Sequence, residues 1–142
     1  MARNSTFIAA PPDAVWSVLE DAYCYPRWIV GSDRTLSADA AWPEPGSEFR
    51  VRLPLGFEDS TTSRELEAGR RIVLDAAAGI FGPARVTITT EPHRGGTCLT
   101  MVEDPAGKLA LLRYLPPMHL VLRLRNVESL RRLRTLVERA AP

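Results

Sequence analysis

Glu103, Tyr114 and His119 are the side chains whose types and positions best suit proton transfer. Glu103 follows Leu99 and Met101 at every second position of one run. If that run is a strand, the alternation puts the Glu103 carboxylate on the same face as the two apolar side chains. There it would act as a general acid or base, or bind a hydroxyl of a ligand. A histidine that titrates near neutral pH and a tyrosine that donates to a carbonyl would complete such a site.

Each of these residues also has a simpler interpretation. Glu103 stands near a strand end, where it can reach solvent or pair with an arginine. A lone histidine near the start of an amphipathic helix is usually a surface or capping residue, so His119 need not touch a ligand. Both interpretations stay open for Glu103, for Tyr114 and for His119.

A second set of residues could line an apolar ligand site. Large aromatic and aliphatic side chains supply most of the contact area in such sites. Together with Glu103, the candidates are Trp28, Phe49, Val51, Phe57, Phe81, Leu99 and Met101. Trp16 is expected to pack in the ordinary core instead, because it lies on the apolar face of a predicted helix.

The elements that must position these residues follow an α+β order. Pro11 and Pro12 suit the start of a helix, and the next eight residues carry apolar side chains on one face. Tyr25-Pro26-Arg27-Trp28 predicts a second short helix. About six antiparallel strands joined by short turns should follow. Segments in which apolar and polar residues alternate are separated there by glycine and proline residues that favour turns.

A long C-terminal helix is predicted over Met118–Ala140. Its apolar stripe is expected to cover the sheet, and consists of Leu120, Leu124, Val127, Leu130, Leu133 and Val137. Seven arginines stand against two glutamates from residue 113 onward, so this segment is basic. Such a run is usually a solvated face; the alternatives are contact with a lipid surface or an acidic partner. Nucleic acid is not expected, since no reading motif accompanies the arginines.

Composition limits the class of protein. The chain has 142 residues, 45% hydrophobic and 25% charged, with a net charge of +1, which is typical of one globular domain spanning 1–142. We expect a cytoplasmic location, because no signal-like or membrane-spanning run is visible. Cys24, Cys98 and the two histidines have no metal-ligand spacing, and no phosphate-binding glycine motif occurs. No metal or cofactor is therefore predicted.

The order of elements and several motifs together resemble the polyketide cyclase/dehydrase-like SRPBCC proteins of the START/Bet v 1 superfamily. The motifs are Ala10-Pro11-Pro12-Asp13-Ala14-Val15-Trp16, Leu19-Glu20-Asp21, Tyr25-Pro26-Arg27-Trp28, Trp42-Pro43-Glu44-Pro45-Gly46 and the glycine turn before Thr97–Glu103. The resemblance implies a helix-grip fold: a curved antiparallel β-sheet of six or seven strands around a long C-terminal helix, with an apolar pocket between them. The proline-rich segments at Pro54 and at Pro116-Pro117 depart from the pattern and are expected to narrow that pocket.

The resemblance leaves several functions open. The first is binding or transport of a hydrophobic small molecule, such as a lipid, a polyketide or an isoprenoid-like compound. The second is a polyketide cyclase/dehydrase-type enzyme in which Glu103, Tyr114 or His119 moves protons. The third is a protein-interaction module that uses the basic helix. Both a monomer and a dimer are compatible with the sequence.

Overall fold

A computed structural model describes residues 2–77, 82–107 and 114–140. Within these ranges the chain forms seven strands: β1 (Ala2–Ile8), β2 (Arg34–Ala38), β3 (Glu48–Arg52), β4 (Glu58–Glu67), β5 (Arg71–Ala76), β6 (Ala84–His93) and β7 (Gly96–Pro105). The α-helices of the same ranges are α1 (Pro12–Leu19), α2 (Tyr25–Trp28) and α3 (Met118–Ala140). None of these described helices combines the length and the apolar character needed to cross a bilayer.

The strands form a single antiparallel sheet in the order β1-β7-β6-β5-β4-β3-β2. Strands β2 to β7 form a meander, and β1 returns to pair with β7. The register shifts between Thr35 and Ser37 in β2, and between Ser63 and Glu65 in β4. Such bulges bend a strand and increase its twist. With α3 packed against the sheet, this architecture confirms the predicted helix-grip α+β fold.

Strand β3 shows why the alternating pattern was informative. Phe49 and Val51 are buried, whereas Arg50 and Arg52 are exposed. Successive side chains of a strand point to opposite faces of the sheet. The two apolar side chains of β3 therefore lie on one face and its two arginines on the other. The inner face of the sheet therefore receives the aromatic and aliphatic residues.

The first helix packs against β6 and β7, and the second packs against β2 and α3. Pro11 caps α1 in an extended conformation, and Val15, Trp16, Val18 and Leu19 are buried. The indole of Trp16 donates to the Thr90 hydroxyl at 2.8 Å, which anchors α1 to β6. As expected from the sequence, Trp16 belongs to the hydrophobic core.

The buried face of α3 differs from the predicted stripe. Its C-terminal half is as predicted, but Leu120, Leu124 and Val127 are more than half exposed. The face that meets the sheet instead consists of Leu122, Asn126, Ser129, Leu130, Leu133 and Val137. The prediction was wrong because it followed apolar residues only, while the first half of the buried face carries an asparagine and a serine.

Replacing two leucines of α3 separately tests this register. Leu133→Ala should lower the free energy of unfolding by about 2–5 kcal/mol, because Leu133 is fully buried and its removal leaves a cavity. Leu124→Ala is the matched control and should change it by less than about 0.5 kcal/mol, since Leu124 is 59% exposed. Urea unfolding followed by circular dichroism measures both. A larger loss from Leu124→Ala would contradict this helix placement.

Candidate functional site

A partly enclosed cavity lies between the concave face of the sheet, α2 and α3. The space open to the centre of a water molecule is about 80 Å³, several times the roughly 10–15 Å³ that one water needs. Most of its wall is apolar, and includes Trp28, Phe49, Val51, Leu74, Ile88 and Met101. The site is therefore a hollow in the core and not a surface groove.

An aromatic cluster builds the wall beside α2. The ring of Tyr25 lies 4.9 Å from that of Phe49 and 5.3 Å from that of Trp28. Trp42 packs edge-on against Phe49 at 4.6 Å but does not itself line the cavity. The Tyr25 hydroxyl donates to the carbonyl of Leu19 at 2.8 Å, and burial raises the pKa of Tyr25. Tyr25 thus stays protonated at physiological pH and serves as a structural donor.

A charged pair forms the polar end of the cavity. The Arg125 Nη1 atom lies 3.4 Å from Glu103 Oε1, and the two side chains are only 18% and 8% exposed. Arg125 Nε also donates to the carbonyl of Val30 at 3.0 Å. A buried carboxylate and a guanidinium are stable when each is matched in charge and hydrogen-bonded. This end of the wall therefore carries a buried ion pair between Glu103 and Arg125.

Asn126 and Ser129 continue the polar end along α3. Asn126 Oδ1 accepts from Arg125 Nη1 at 3.4 Å, and the Ser129 hydroxyl accepts from the Val30 amide at 3.0 Å. Asp59, 7% exposed, also lines the cavity. Across the described ranges, no three histidine, cysteine or acidic side chains come close enough together to hold a metal ion.

Several residues predicted to bind a ligand do line this cavity. They are Trp28, Phe49, Val51, Met101 and Glu103. Glu103 is on the inner face of β7, where continued alternation from Leu99 and Met101 places it. The structure thus brings one carboxylate together with the aromatic and aliphatic candidates.

Three other candidates lie elsewhere. Leu99 is fully buried in the core but does not line the cavity. Phe57 is 66% exposed, because it follows a 3-10 turn at Pro54–Gly56 in which Leu55 has a φ of 68°. Its side chain thus projects from the surface, contrary to the prediction that it lines a pocket. Phe81 lies outside the residues that the structure describes.

Tyr114 and His119 do not meet Glu103. Their rings stack on each other with centroids 6.3 Å apart, and neither residue lines the cavity. Tyr114 is 40% exposed and His119 is half-buried. The structure therefore groups these two candidates with each other near the start of α3, away from the cavity that Glu103 lines.

Sequence reasoning missed Tyr25, Arg125, Asn126 and Ser129 as wall residues. The charge pattern predicts a solvated arginine at position 125, yet Arg125 lines the cavity and contacts Glu103. The spacing from Leu122 to Asn126, Ser129 and Leu133 is helical and identifies the inner face once polar residues are allowed on it. That spacing was the signal that could have found the site.

Three of the other arginines of α3 form ion pairs at the protein surface. Arg131 and Arg132 both reach Glu128, at 2.7 and 3.1 Å, and Arg134 reaches Glu138 at 3.3 Å. Hydrogen bonds from Arg131 and Arg132 lower the pKa of Glu128 to about 2. The two glutamates of α3 thus each pair with neighbouring arginines, while the helix as a whole stays basic, with six arginines against two glutamates.

Comparisons with known proteins agree with this architecture. The family model described as Activator of Hsp90 ATPase homolog 1-like protein matches residues 9–114. None of the curated proteins compared with the chain matches it. Among solved structures, protein CV1439 from Chromobacterium violaceum is 22% identical, with 96% of each chain covered and a TM-score of 0.69.

Two further solved structures share the fold. The Aha1 dimer from Colwellia psychrerythraea, solved in solution, is 12% identical, covers 96% of this chain and 95% of that one, and has a TM-score of 0.71. DynU16, from the dynemicin biosynthetic locus, is 19% identical with a TM-score of 0.73, covering 99% of this chain and 48% of that one. The matched family model spans most of the chain, and these structures share its fold. The chain belongs to the Activator of Hsp90 ATPase homolog 1-like family of SRPBCC proteins.

Proposed function

We propose that this protein binds a small hydrophobic molecule in the cavity between the sheet, α2 and α3. The observation that carries the proposal is the cavity itself, an apolar hollow bordered by Trp28, Phe49 and Met101. Close packing is the rule in protein interiors, and unfilled apolar space lowers stability. A ligand that fills the hollow would restore those contacts.

The chemistry of the wall indicates what kind of molecule fits. The aromatic cluster offers flat apolar surfaces on which a ring or a branched carbon skeleton can pack. The opposite end offers the Glu103–Arg125 pair, whose charges already match. A mostly apolar, uncharged ligand of the size of a substituted benzene ring or somewhat larger suits both ends.

A second candidate function is proton transfer on such a ligand. Glu103 favours it, because its carboxylate lines the cavity next to a guanidinium that can stabilise an enolate. Tyr114 and His119 would not take part, since both lie away from the cavity. In this candidate Glu103 removes a proton next to a carbonyl and Arg125 faces the developing negative charge.

Filling the cavity by mutation tests the binding proposal. Val86 lines the cavity beside Glu103, so Val86→Phe should weaken binding of ethylbenzene, a neutral ring-sized probe, by at least about tenfold. Val102→Phe, on the other face of the neighbouring strand β7, is the matched control and should leave the dissociation constant unchanged. NMR titration of ¹⁵N-labelled protein measures binding. Absence of ethylbenzene binding to the unmodified protein would overturn the proposal.

Exchange of the methyl protons of acetophenone for deuterium separates a carrier from a proton-transfer enzyme. If Glu103 is a catalytic base, the protein accelerates exchange in deuterated buffer and Glu103→Gln slows it by about 10²–10⁴, while acetophenone still binds. Proton NMR follows the loss of the methyl signal. Tyr114→Phe and His119→Gln serve as controls and should leave the rate unchanged. Exchange no faster than in protein-free buffer would contradict the enzyme and leave the carrier standing.

A further inference from the structure

Two buried N–H donors in the cavity wall lack a partner. Asn126 Nδ2 and Trp28 Nε1 make no hydrogen bond to any of the residues in 2–77, 82–107 and 114–140. Both residues line the cavity, and each is only 1% exposed. A buried donor left without an acceptor costs about 1–3 kcal/mol, so such groups need an explanation.

The orientation of the Asn126 amide follows from its neighbour. Asn126 Oδ1 accepts from Arg125 Nη1, and a guanidinium carries donors only. The amide therefore presents its oxygen to Arg125 and its NH₂ group elsewhere. The indole of Trp28 can act only as a donor, so both unpartnered groups require an acceptor.

The two donors come from elements that pack together. Trp28 ends α2, Asn126 lies in the inner face of α3, and these helices are in contact. The nearby carboxylate of Glu103 is held by Arg125 on the same wall. Asp59 adds a second buried acidic side chain to this wall, so an anionic ligand would meet like charge in buried space, which is strongly unfavourable.

We infer that the ligand carries an uncharged acceptor oxygen, as in a ketone, an ester or an amide, and that Asn126 and Trp28 donate to it. This inference rests on the proposed binding function and adds the polar group that the ligand presents. A carbonyl oxygen has two lone pairs and no proton to donate, which matches a wall that offers donors. The aromatic cluster then holds the apolar remainder of the molecule.

Acetophenone and ethylbenzene form a matched pair of probes, because they differ only by a carbonyl in place of a methylene. The dissociation constant of acetophenone divided by that of ethylbenzene should rise about tenfold in Asn126→Leu and in Trp28→Phe, relative to the unmodified protein. Comparing ratios cancels the different solubilities of the probes in water. Trp42→Phe is the matched control: its Nε1 also lacks a partner among the described residues, but Trp42 does not line the cavity.

A second measurement uses the unmodified protein, so it does not depend on whether the variants fold. The indole N–H resonance of Trp28, assigned by its absence in Trp28→Phe or by sequential assignment, should move downfield with acetophenone and not with ethylbenzene. An unchanged ratio in the variants, or equal indole shifts with both probes, would overturn the inference while the binding function stands. Failure of both probes to bind the unmodified protein would overturn the binding function and the inference with it.

Discussion

Arg125 is a guanidinium inside the fold, and the geometry of the cavity depends on how it is paired. Moving an ion out of water costs several kcal/mol unless its charge and its hydrogen bonds are matched. Arg125 donates to Val30 after α2 and approaches Glu103 on β7, while its own backbone belongs to α3. One side chain therefore links three elements that are distant in sequence. The contacts that dock the helix and those that shape the polar end of the cavity are the same contacts.

The opposite requirement, empty space, is met by small residues. Gly31, Ser32, Ala76 and Ala84 line the cavity at positions where larger side chains would fill it. The bulges in β2 and β4 accompany the curvature of the sheet around that space. Because unfilled apolar volume lowers stability, a core of this kind is less stable than a filled one. In the proposed function, a ligand in this space would complete the packing of the folded protein.

The fold was predictable where one face of an element is apolar and the other carries polar side chains exposed to solvent. Strand β3 separates Phe49 and Val51 from its arginines so cleanly that its orientation follows from five residues. The first half of α3 was not predictable in this way, because its inner face includes Asn126 and Ser129 and its outer face includes Leu120 and Leu124. Apolar periodicity describes burial against an apolar core and fails where the buried surface meets polar groups.

The same limit applies to the site. Glu103 could be placed because it continues the alternation of β7, whereas its partner Arg125 could not, since pairing across 22 residues depends on how the helix docks. The position of Phe57 depended on a single turn with a left-handed residue, Leu55. Local patterns predict which way a side chain points within an element; they do not predict how two elements dock against each other.

The bulge in β2 has a consequence for self-association. An open sheet ends in strands whose free N–H and C=O groups can template the strand of another molecule. At one edge, β2 is five residues long and broken in register between Thr35 and Ser37, so it offers a short, bent template. At the other edge, β1 is in contact with α3. Addition of a strand from another molecule is thus disfavoured at the β2 edge.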